Sequence, residues 1–159
     1  MIPLDEMYRD IILDHYRSPR GKQPIEESNV ESEGSNPSCG DEISLQVLVK
    51  DNVLTDVHVD CKGCAISTAS GSMLAEAVKG KSFDEVMKIA DTVKKLLKGE
   101  IDESDVDLGD LDSLQGVRQF PVRIKCALLA WVTLIEGLKH YANGDSDGGR
   151  VTLTAEHEH

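Results

Sequence analysis

The spacing of hydrophobic residues changes several times along the chain, and each change predicts an element. Apolar residues three or four apart predict an amphipathic helix over residues 4–16, with a buried stripe that runs to Tyr16. Alternating apolar and polar residues then predict two strands, around 43–49 and 53–59, which a tight turn joins into an antiparallel hairpin. The polar segment between residues 29 and 35 is expected to hold one irregular strand.

A helical period returns after residue 64. Small and apolar residues predict a helix over 65–78, and Ser82 with Glu85 three residues later forms a capping box that opens the next helix. The proline at position 121 begins a last helix, which runs to about residue 141. A helix, a short meander and then several helices predict an α+β fold, in which a small antiparallel sheet packs against the helices.

The length of 159 residues fits one domain. We assign residues 1–142 to it and expect a flexible tail over 143–159, where glycine, aspartate and serine dominate. The acidic run 100–112 is expected to be a solvated face that nearby leucines tether to the body. His15 and His140 are expected at the surface or at an interface rather than as metal ligands.

The charge of the chain narrows the classes of partner. Lysine and arginine total 17 and aspartate and glutamate total 29, so the formal net charge is −12. This surplus argues against binding to nucleic acid or to an anionic membrane, and it suits a partner with a basic docking surface. The longest apolar run, residues 126–135, has about half of the ~20 residues that span a bilayer, and no secretory signal is visible. A cytoplasm of bacterial type with reduced thiols is the expected location.

The most informative residues are three of the four cysteines and one aspartate. Cys39 and Asp41 flank a glycine just before the first clear strand, Cys64 lies where the second strand gives way to a helix, and Cys126 lies in the second turn of the last helix. If these segments meet, they supply three sulfurs and one oxygen, which suits tetrahedral zinc or an iron–sulfur cluster. A cysteine can also be simply a buried apolar side chain without a ligand role. This alternative is strongest for Cys126, because alanine and leucines follow it.

Cys61 completes a C-x-x-C sequence with Cys64, and two interpretations of that pair compete. A thioredoxin-type redox pair also lies at a strand–helix junction, but that fold requires parallel βαβ units, and only a hairpin precedes this pair. A zinc ribbon requires a second C-x-x-C, which the sequence lacks.

Several segments together resemble one family. The sequence Asn-Pro-Ser-Cys-Gly-Asp over residues 36–41 resembles the N-P-x-C-G-D of the NifU N-terminal, IscU and SufU family of iron–sulfur assembly proteins. Residues 8–20 are similar to the first helix of that family, 63–67 to its second cysteine segment and 123–126 to its third. Lys125, where IscU proteins carry histidine, and the long interval between the second and third segments resemble the SufU branch.

The resemblance implies an α+β fold with a three-stranded antiparallel sheet and a site made by Cys39, Asp41, Cys64 and Cys126. It also implies two kinds of partner: a SufS-like, pyridoxal-phosphate cysteine desulfurase that delivers persulfide sulfur, and downstream iron–sulfur assembly or acceptor proteins. Cys61 departs from the family pattern, which leaves open an alternative ligand or a disulfide with Cys64.

Two mechanisms within the family remain. In a sulfur relay, zinc fills the site and Cys39 accepts sulfur; in a scaffold, the thiolates hold a transient [2Fe–2S] cluster. Arg123 and Lys125 are the candidates to offset the negative charge of the ligands in either case. We favour zinc with sulfur relay. A structural zinc module for protein binding is a third possibility, against which the Asp41 ligand argues, because structural sites normally close with cysteine or histidine.

Overall fold

The structure is a computed structural model, and it describes residues 4–38, 40–101, 108–118, 120–144 and 149–152, with backbone alone for residues 4, 5 and 149–152. The predicted acceptor Cys39 and residues 102–107 of the acidic run lie outside the described residues. The elements are α1 (Leu4–Arg17), β1 (Val30–Asn36), β2 (Asp41–Lys50), β3 (Val53–Lys62), α2 (Ala65–Val78), α3 (Phe83–Leu97), a 3-10 helix (Gly109–Val117), α4 (Pro121–Ala142) and β4 (Gly149–Thr152).

The sheet has the order β3-β2-β1-β4. β1, β2 and β3 pair antiparallel, which confirms the predicted three-stranded antiparallel sheet, and the pairing of β1 with β2 ends at Asn36 opposite Asp41. The Asp51-Asn52 turn between β2 and β3 has positive φ at both residues (51° and 65°), the geometry of a tight type I′ hairpin. β4 adds a short parallel strand beside β1. It lies within residues 143–159, and the division of the chain at residue 142 stays a prediction.

The core lies between one face of the sheet and the helices. α2 packs against α1, α4 and β3, and α4 also packs against β1. Trp131 on α4 is fully buried, as are Val47 on β2 and Leu54 on β3. Ser82 caps α3 as predicted, since its Oγ accepts a hydrogen bond from the Glu85 backbone N–H at 3.2 Å.

The 3-10 helix connects the acidic segment to the body. Leu108, Leu111 and Leu114 are all buried, as the sequence predicts for the leucines that tether this segment. No helix within the described part of the chain combines the length and the apolarity needed to cross a bilayer.

Candidate metal centre

Three of the four predicted ligands converge at one end of the sheet. One carboxylate oxygen of Asp41 and the sulfurs of Cys64 and Cys126 all lie within 4.8 Å of one another. Asp41 is the first residue of β2, Cys64 is the N-cap of α2, and Cys126 lies in the second turn of α4. The fold therefore brings together side chains from three separate segments. Cys39, the fourth predicted ligand, lies outside the described residues, two positions before Asp41 in the sequence.

Two contacts with Cys64 hold the Asp41 carboxylate in place. It is 1% exposed, and its Oδ1 accepts a hydrogen bond from the Cys64 backbone N–H at 2.9 Å. Its Oδ2 lies 3.8 Å from the Cys64 sulfur. Gly63 makes this approach possible, because a Cβ at that position would overlap the Asp41 carboxylate. The glycine of the C-x-x-C sequence is thus required by the position of the aspartate.

The surroundings of Cys64 strongly lower the pKa of its thiol. A hydrogen bond from the Cys126 side chain is the largest cause that lowers the pKa of Cys64, and the Ser67 backbone N–H and hydroxyl lower it further. Burial and the charge of Asp41 oppose these effects, and the resulting pKa is about 5. The Ser67 N–H lies 3.5 Å from the sulfur, as expected for an N-cap side chain at a helix N-terminus. Cys64 is therefore a thiolate at neutral pH.

Arg123 is the cation beside the sulfurs. The Cys64 thiolate is the largest cause that raises the pKa of Arg123 above its usual value, and hydrogen bonds to the Cys126 and Cys64 side chains add to it. Cys126 itself is fully buried, and its sulfur lies 3.6 Å from the Val122 carbonyl oxygen. Lys125 is half-buried on the same helix, and its role in the site stays a prediction.

Cys61 is close to this group but does not belong to it. The ligand atoms that lie within 4.8 Å of one another at this end of the sheet are those of Asp41, Cys64 and Cys126, and the Cys61 sulfur is not among them. The Cys61 sulfur instead packs against the core at the end of β3, where the Thr68 hydroxyl lies 3.8 Å from it. Burial raises the pKa of the Cys61 thiol, and hydrogen bonds from Ser67 and Thr68 lower it by less. The two cysteines of the C-x-x-C sequence therefore have opposite protonation preferences.

The donor set fits a zinc ion. Sulfur ligands at about 2.3 Å from tetrahedral zinc lie roughly 3.8 Å from one another, and a carboxylate oxygen lies closer still. Ligand atoms within 4.8 Å of one another reach that geometry with small side-chain movements. Two soft thiol sulfurs with one carboxylate also disfavour magnesium and calcium, which require sets of oxygen ligands.

A second group of ligand atoms was not predicted. His15 on α1, Glu76 on α2 and Asp110 in the 3-10 helix also offer atoms within 4.8 Å of one another. His15 is fully buried, so the prediction that it lies at the surface or at an interface is wrong, whereas Tyr16 is 45% exposed. The buried stripe of α1 runs through Ile12 and ends at His15 rather than at Tyr16. His15 lies three positions after Ile12 and Tyr16 lies four positions after it, so helical spacing is compatible with either residue, and residue type favours Tyr16.

Both ring nitrogens of His15 have protein partners. Nδ1 lies 2.7 Å from the Ser72 hydroxyl, and Nε2 lies 2.8 Å from Asp110 Oδ2. The Ser72 hydroxyl also accepts a hydrogen bond from the Arg20 backbone N–H at 2.8 Å. His15 thereby cross-links α1, α2 and the 3-10 helix.

The chain is similar in sequence to a protein family and to named bacterial proteins over most of its length. The family described as NifU-like N terminal domain matches residues 7–127. The chain is 38% identical over 142 residues to a Bacillus subtilis protein named zinc-dependent sulfurtransferase SufU, a match that covers 89% of this chain and 96% of that protein. It is also 38% identical over 141 residues to a Streptococcus pyogenes protein named iron–sulfur cluster assembly scaffold protein IscU, with coverage of 88% and 87%.

Solved structures agree with this grouping. The SUF-system protein FiSufU of Fervidobacterium islandicum is 32% identical, with a TM-score of 0.74 and coverage of 81% of this chain and 94% of that chain. The N-terminal part of a NifU-like protein of Brucella abortus has a TM-score of 0.79 at 22% identity, with coverage of 88% and 97%, a likeness of fold alone.

Proposed function

Since the chain belongs to the NifU-like N-terminal domain family, as its motifs predict, we propose that it is an iron–sulfur cluster assembly protein that relays sulfur. It accepts persulfide sulfur from a cysteine desulfurase at a zinc site made by Cys39, Asp41, Cys64 and Cys126, and passes that sulfur on to cluster assembly. The observation that carries the proposal is the convergence of the Asp41, Cys64 and Cys126 ligand atoms from three segments of the chain.

Zinc is the cofactor of this proposal. The donor set supports it, and so does the name of the Bacillus subtilis relative, a zinc-dependent sulfurtransferase. Bound zinc keeps its cysteine ligands deprotonated and fixes the three segments relative to one another. Arg123 offsets part of the negative charge that the thiolates and Asp41 bring together, and Lys125 does so from the same helix.

Cys39 is the proposed sulfur acceptor. Its neighbours Pro37 and Ser38 follow β1, and a Cβ at Gly40 would meet nothing within 4 Å, so the space beside Gly40 is open. Cys126 is fully buried in α4, and Cys64 is held as an N-cap. In the transfer, the Cys39 thiolate attacks the outer sulfur of the desulfurase persulfide, that sulfur becomes part of a Cys39 persulfide, and the desulfurase cysteine leaves as a thiolate.

The surroundings of Cys64 support a protein partner. A groove of about 1000 Å³ includes Cys64 and Arg123 in its lining, together with apolar residues of α1 and of the segment before α4. At its rim, Phe120 is 55% exposed and Val122 is 61% exposed. Large exposed apolar side chains next to a reactive sulfur are typical of a contact surface for another protein. The formal charge of −12 for the whole chain favours a desulfurase with a basic docking surface.

The test combines metal analysis with mass spectrometry. We expect about one zinc per chain, and a lower melting temperature after chelation, because the metal binds the folded state alone. After short reactions with desulfurase and free cysteine, alkylation and peptide mass spectrometry should find the added sulfur first on Cys39. Protein that melts identically without metal and binds no zinc on titration would contradict the zinc site. Sulfur that appears first on Cys64 or Cys126 would contradict the acceptor assignment.

A second candidate function is that of a scaffold for a transient [2Fe–2S] cluster. The name of the Streptococcus pyogenes relative favours it, and so does the Asp41 ligand, since a carboxylate binds iron less firmly than a thiolate does. Zinc-free protein given ferrous iron, cysteine and desulfurase distinguishes the two. A visible cluster spectrum that forms without persulfide on Cys39 would favour the scaffold over the relay.

A further inference from the structure

Cys61 is a thiol that the proposed relay does not use. It lies on the inner face of β3, the face to which Val57 and Val59 also belong. Those two valines are 5% and 6% exposed, whereas Cys61 is half-buried at the end of the strand nearest to the metal centre. A cysteine here adds a thiol at the border between the core and the site.

The fold brings this sulfur towards that of Cys64. The chain bends at Gly63, and α2 begins at Ala65, so the first turn of α2 lies next to the end of β3. The Ser67 hydroxyl lies 3.6 Å from the Cys64 sulfur and also hydrogen-bonds to Cys61. The Thr68 hydroxyl lies 3.8 Å from the Cys61 sulfur. Both sulfurs therefore lie beside the first turn of α2, and each contacts a hydroxyl of that turn.

Iron–sulfur clusters contain sulfide, whereas a desulfurase delivers sulfane sulfur as a persulfide. The outer sulfur of a persulfide must gain two electrons before it is sulfide. Two thiols that become one disulfide supply two electrons, and a neighbouring pair of thiols supplies them without a second protein.

We propose that Cys61 and Cys64 form a dithiol that reduces the relayed sulfur and releases it as hydrogen sulfide, an inference that rests on the sulfur relay of the proposed function. The sulfur moves from the Cys39 persulfide to Cys64 when the Cys64 thiolate attacks its outer sulfur and Cys39 leaves as a thiolate. The net second step converts the Cys64 persulfide and the Cys61 thiol into a Cys61–Cys64 disulfide and one molecule of hydrogen sulfide.

The electrons and atoms of that step balance. The bond that forms joins the sulfurs of Cys61 and Cys64, and the bond that breaks is the sulfur–sulfur bond of the persulfide. The proton of the Cys61 thiol leaves with the outer sulfur, which is reduced to sulfide while the two cysteines are oxidised. A dithiol reductant then restores the pair by thiol–disulfide exchange. Since Cys64 is a proposed zinc ligand, each release of sulfide also removes one ligand from the metal.

The test uses the full chain, loaded with zinc, and a desulfurase with free cysteine in the absence of oxygen and of any added thiol reductant. Wild-type protein should give a burst of about one sulfide per chain, above the amount that the desulfurase releases alone, together with a Cys61–Cys64 disulfide. Trypsin cleaves after Lys62, so after alkylation this disulfide joins peptide 51–62 to peptide 63–79. The Cys61→Ser variant should keep the added sulfur as a persulfide and give no burst.

A second arm replaces the desulfurase with glutathione persulfide, which loads sulfur directly. If neither the wild-type protein nor the Cys61→Ser variant takes up sulfur from the desulfurase, the proposed function fails. The reaction with glutathione persulfide still decides in that case whether the dithiol releases sulfide. If wild-type protein carries persulfide but yields no joined peptides, the dithiol step is overturned while the relay stands. An equal burst from the Cys61→Ser variant also overturns it. The joined peptides are measured in wild-type protein, so the test does not depend on how well the variant folds.

Discussion

Two groups of side chains in this protein each bring three ligand atoms within 4.8 Å of one another, yet they differ in chemistry. The first, the sulfur group, consists of Asp41, Cys64 and Cys126. The second, the histidine group, consists of His15, Glu76 and Asp110. Convergence alone therefore does not identify a metal site, and the partners of each atom have to be compared.

In the histidine group, protein partners already occupy the donor atoms. His15 uses both ring nitrogens on Ser72 and Asp110, and Glu76 lies 3.4 Å from the Arg20 guanidinium. The two carboxylates are about half exposed, so water competes with any ion for them. This arrangement is that of a structural cross-link.

In the sulfur group, the contacts orient the donors and favour their charged forms. The Cys64 N–H fixes Asp41, the Cys126 side chain and Ser67 favour the Cys64 thiolate, and Arg123 adds positive charge at the sulfurs. Thiolates bind zinc more strongly than the carboxylates and paired imidazole of the histidine group would. The difference predicts that removal of one group abolishes metal binding, while removal of the other destabilises the fold.

The largest expected effect is the loss of zinc from Cys64→Ser. A serine hydroxyl is not deprotonated at neutral pH and is a poor zinc ligand, so zinc should fall from about one per chain to near zero. Metal analysis after dialysis measures this. Cys61→Ser, the same change three residues away and outside the sulfur group, should keep its zinc. Equal loss from both variants would show that the C-x-x-C pair builds the site.

The next effect is a loss of stability that leaves the zinc content unchanged. His15→Ala leaves a cavity, removes one of the two hydrogen bonds of the buried Ser72 hydroxyl and one hydrogen bond of the half-exposed Asp110, and should lower the free energy of unfolding by about 2–4 kcal/mol. Urea unfolding of the zinc-loaded proteins measures it, and zinc content should stay that of the wild type. Loss of zinc from folded His15→Ala protein would contradict the assignment of the histidine group to structure.

A smaller effect is expected from Gly63→Ala. The added Cβ would overlap the Asp41 carboxylate and force it away from the Cys64 N–H, so zinc affinity should fall by roughly tenfold. Competition with a chromophoric chelator measures the affinity. Gly116→Ala is the matched control, because its Cβ would make only ordinary contact with Tyr8, 3.4 Å away at the nearest. Unchanged affinity in the Gly63 variant would mean that Asp41 is not a ligand.

The last effect is a pH dependence of the stability of zinc-free protein. The pKa of Cys64 is about 5 in the folded state and 9.0 in its ordinary state, so between these values the unfolded chain binds a proton that the folded chain does not. The stability that Cys64 contributes is therefore fully present above about pH 9 and is lost as the pH falls towards 5. Urea unfolding across this range should show a steeper rise with pH for wild-type protein than for Cys64→Ser. Parallel curves would contradict the lowered pKa.

The sequence predicts most elements correctly where burial follows residue type. The helix predicted over 65–78 has the same bounds as α2, and the hairpin of β2 and β3 has the predicted turn. β1 is the weak case, because its buried positions include Ser32, Gly34 and Asn36 rather than large apolar residues. The structure gives the reason: a Cβ at Gly34 would overlap the Thr133 side chain, since α4 lies close to β1.

The motifs predict the three side chains that converge, but not what surrounds them. The sequence places Cys64 at a strand–helix junction, whereas its contact with Ser67 depends on where the helix begins. The pairing of His15 with Asp110 joins residues 95 positions apart, and no local pattern in the chain reports such a contact.

β4 has a consequence for how the protein behaves in concentrated solution. It pairs with residues Ser32 to Ser35 of β1, and so covers the backbone N–H and C=O groups on that edge. Exposed strand edges recruit strands from other molecules, and a very short edge strand is one of the means by which proteins prevent this. Four residues near the C-terminus, which carry none of the predicted ligands, thereby protect the sheet against edge-to-edge aggregation.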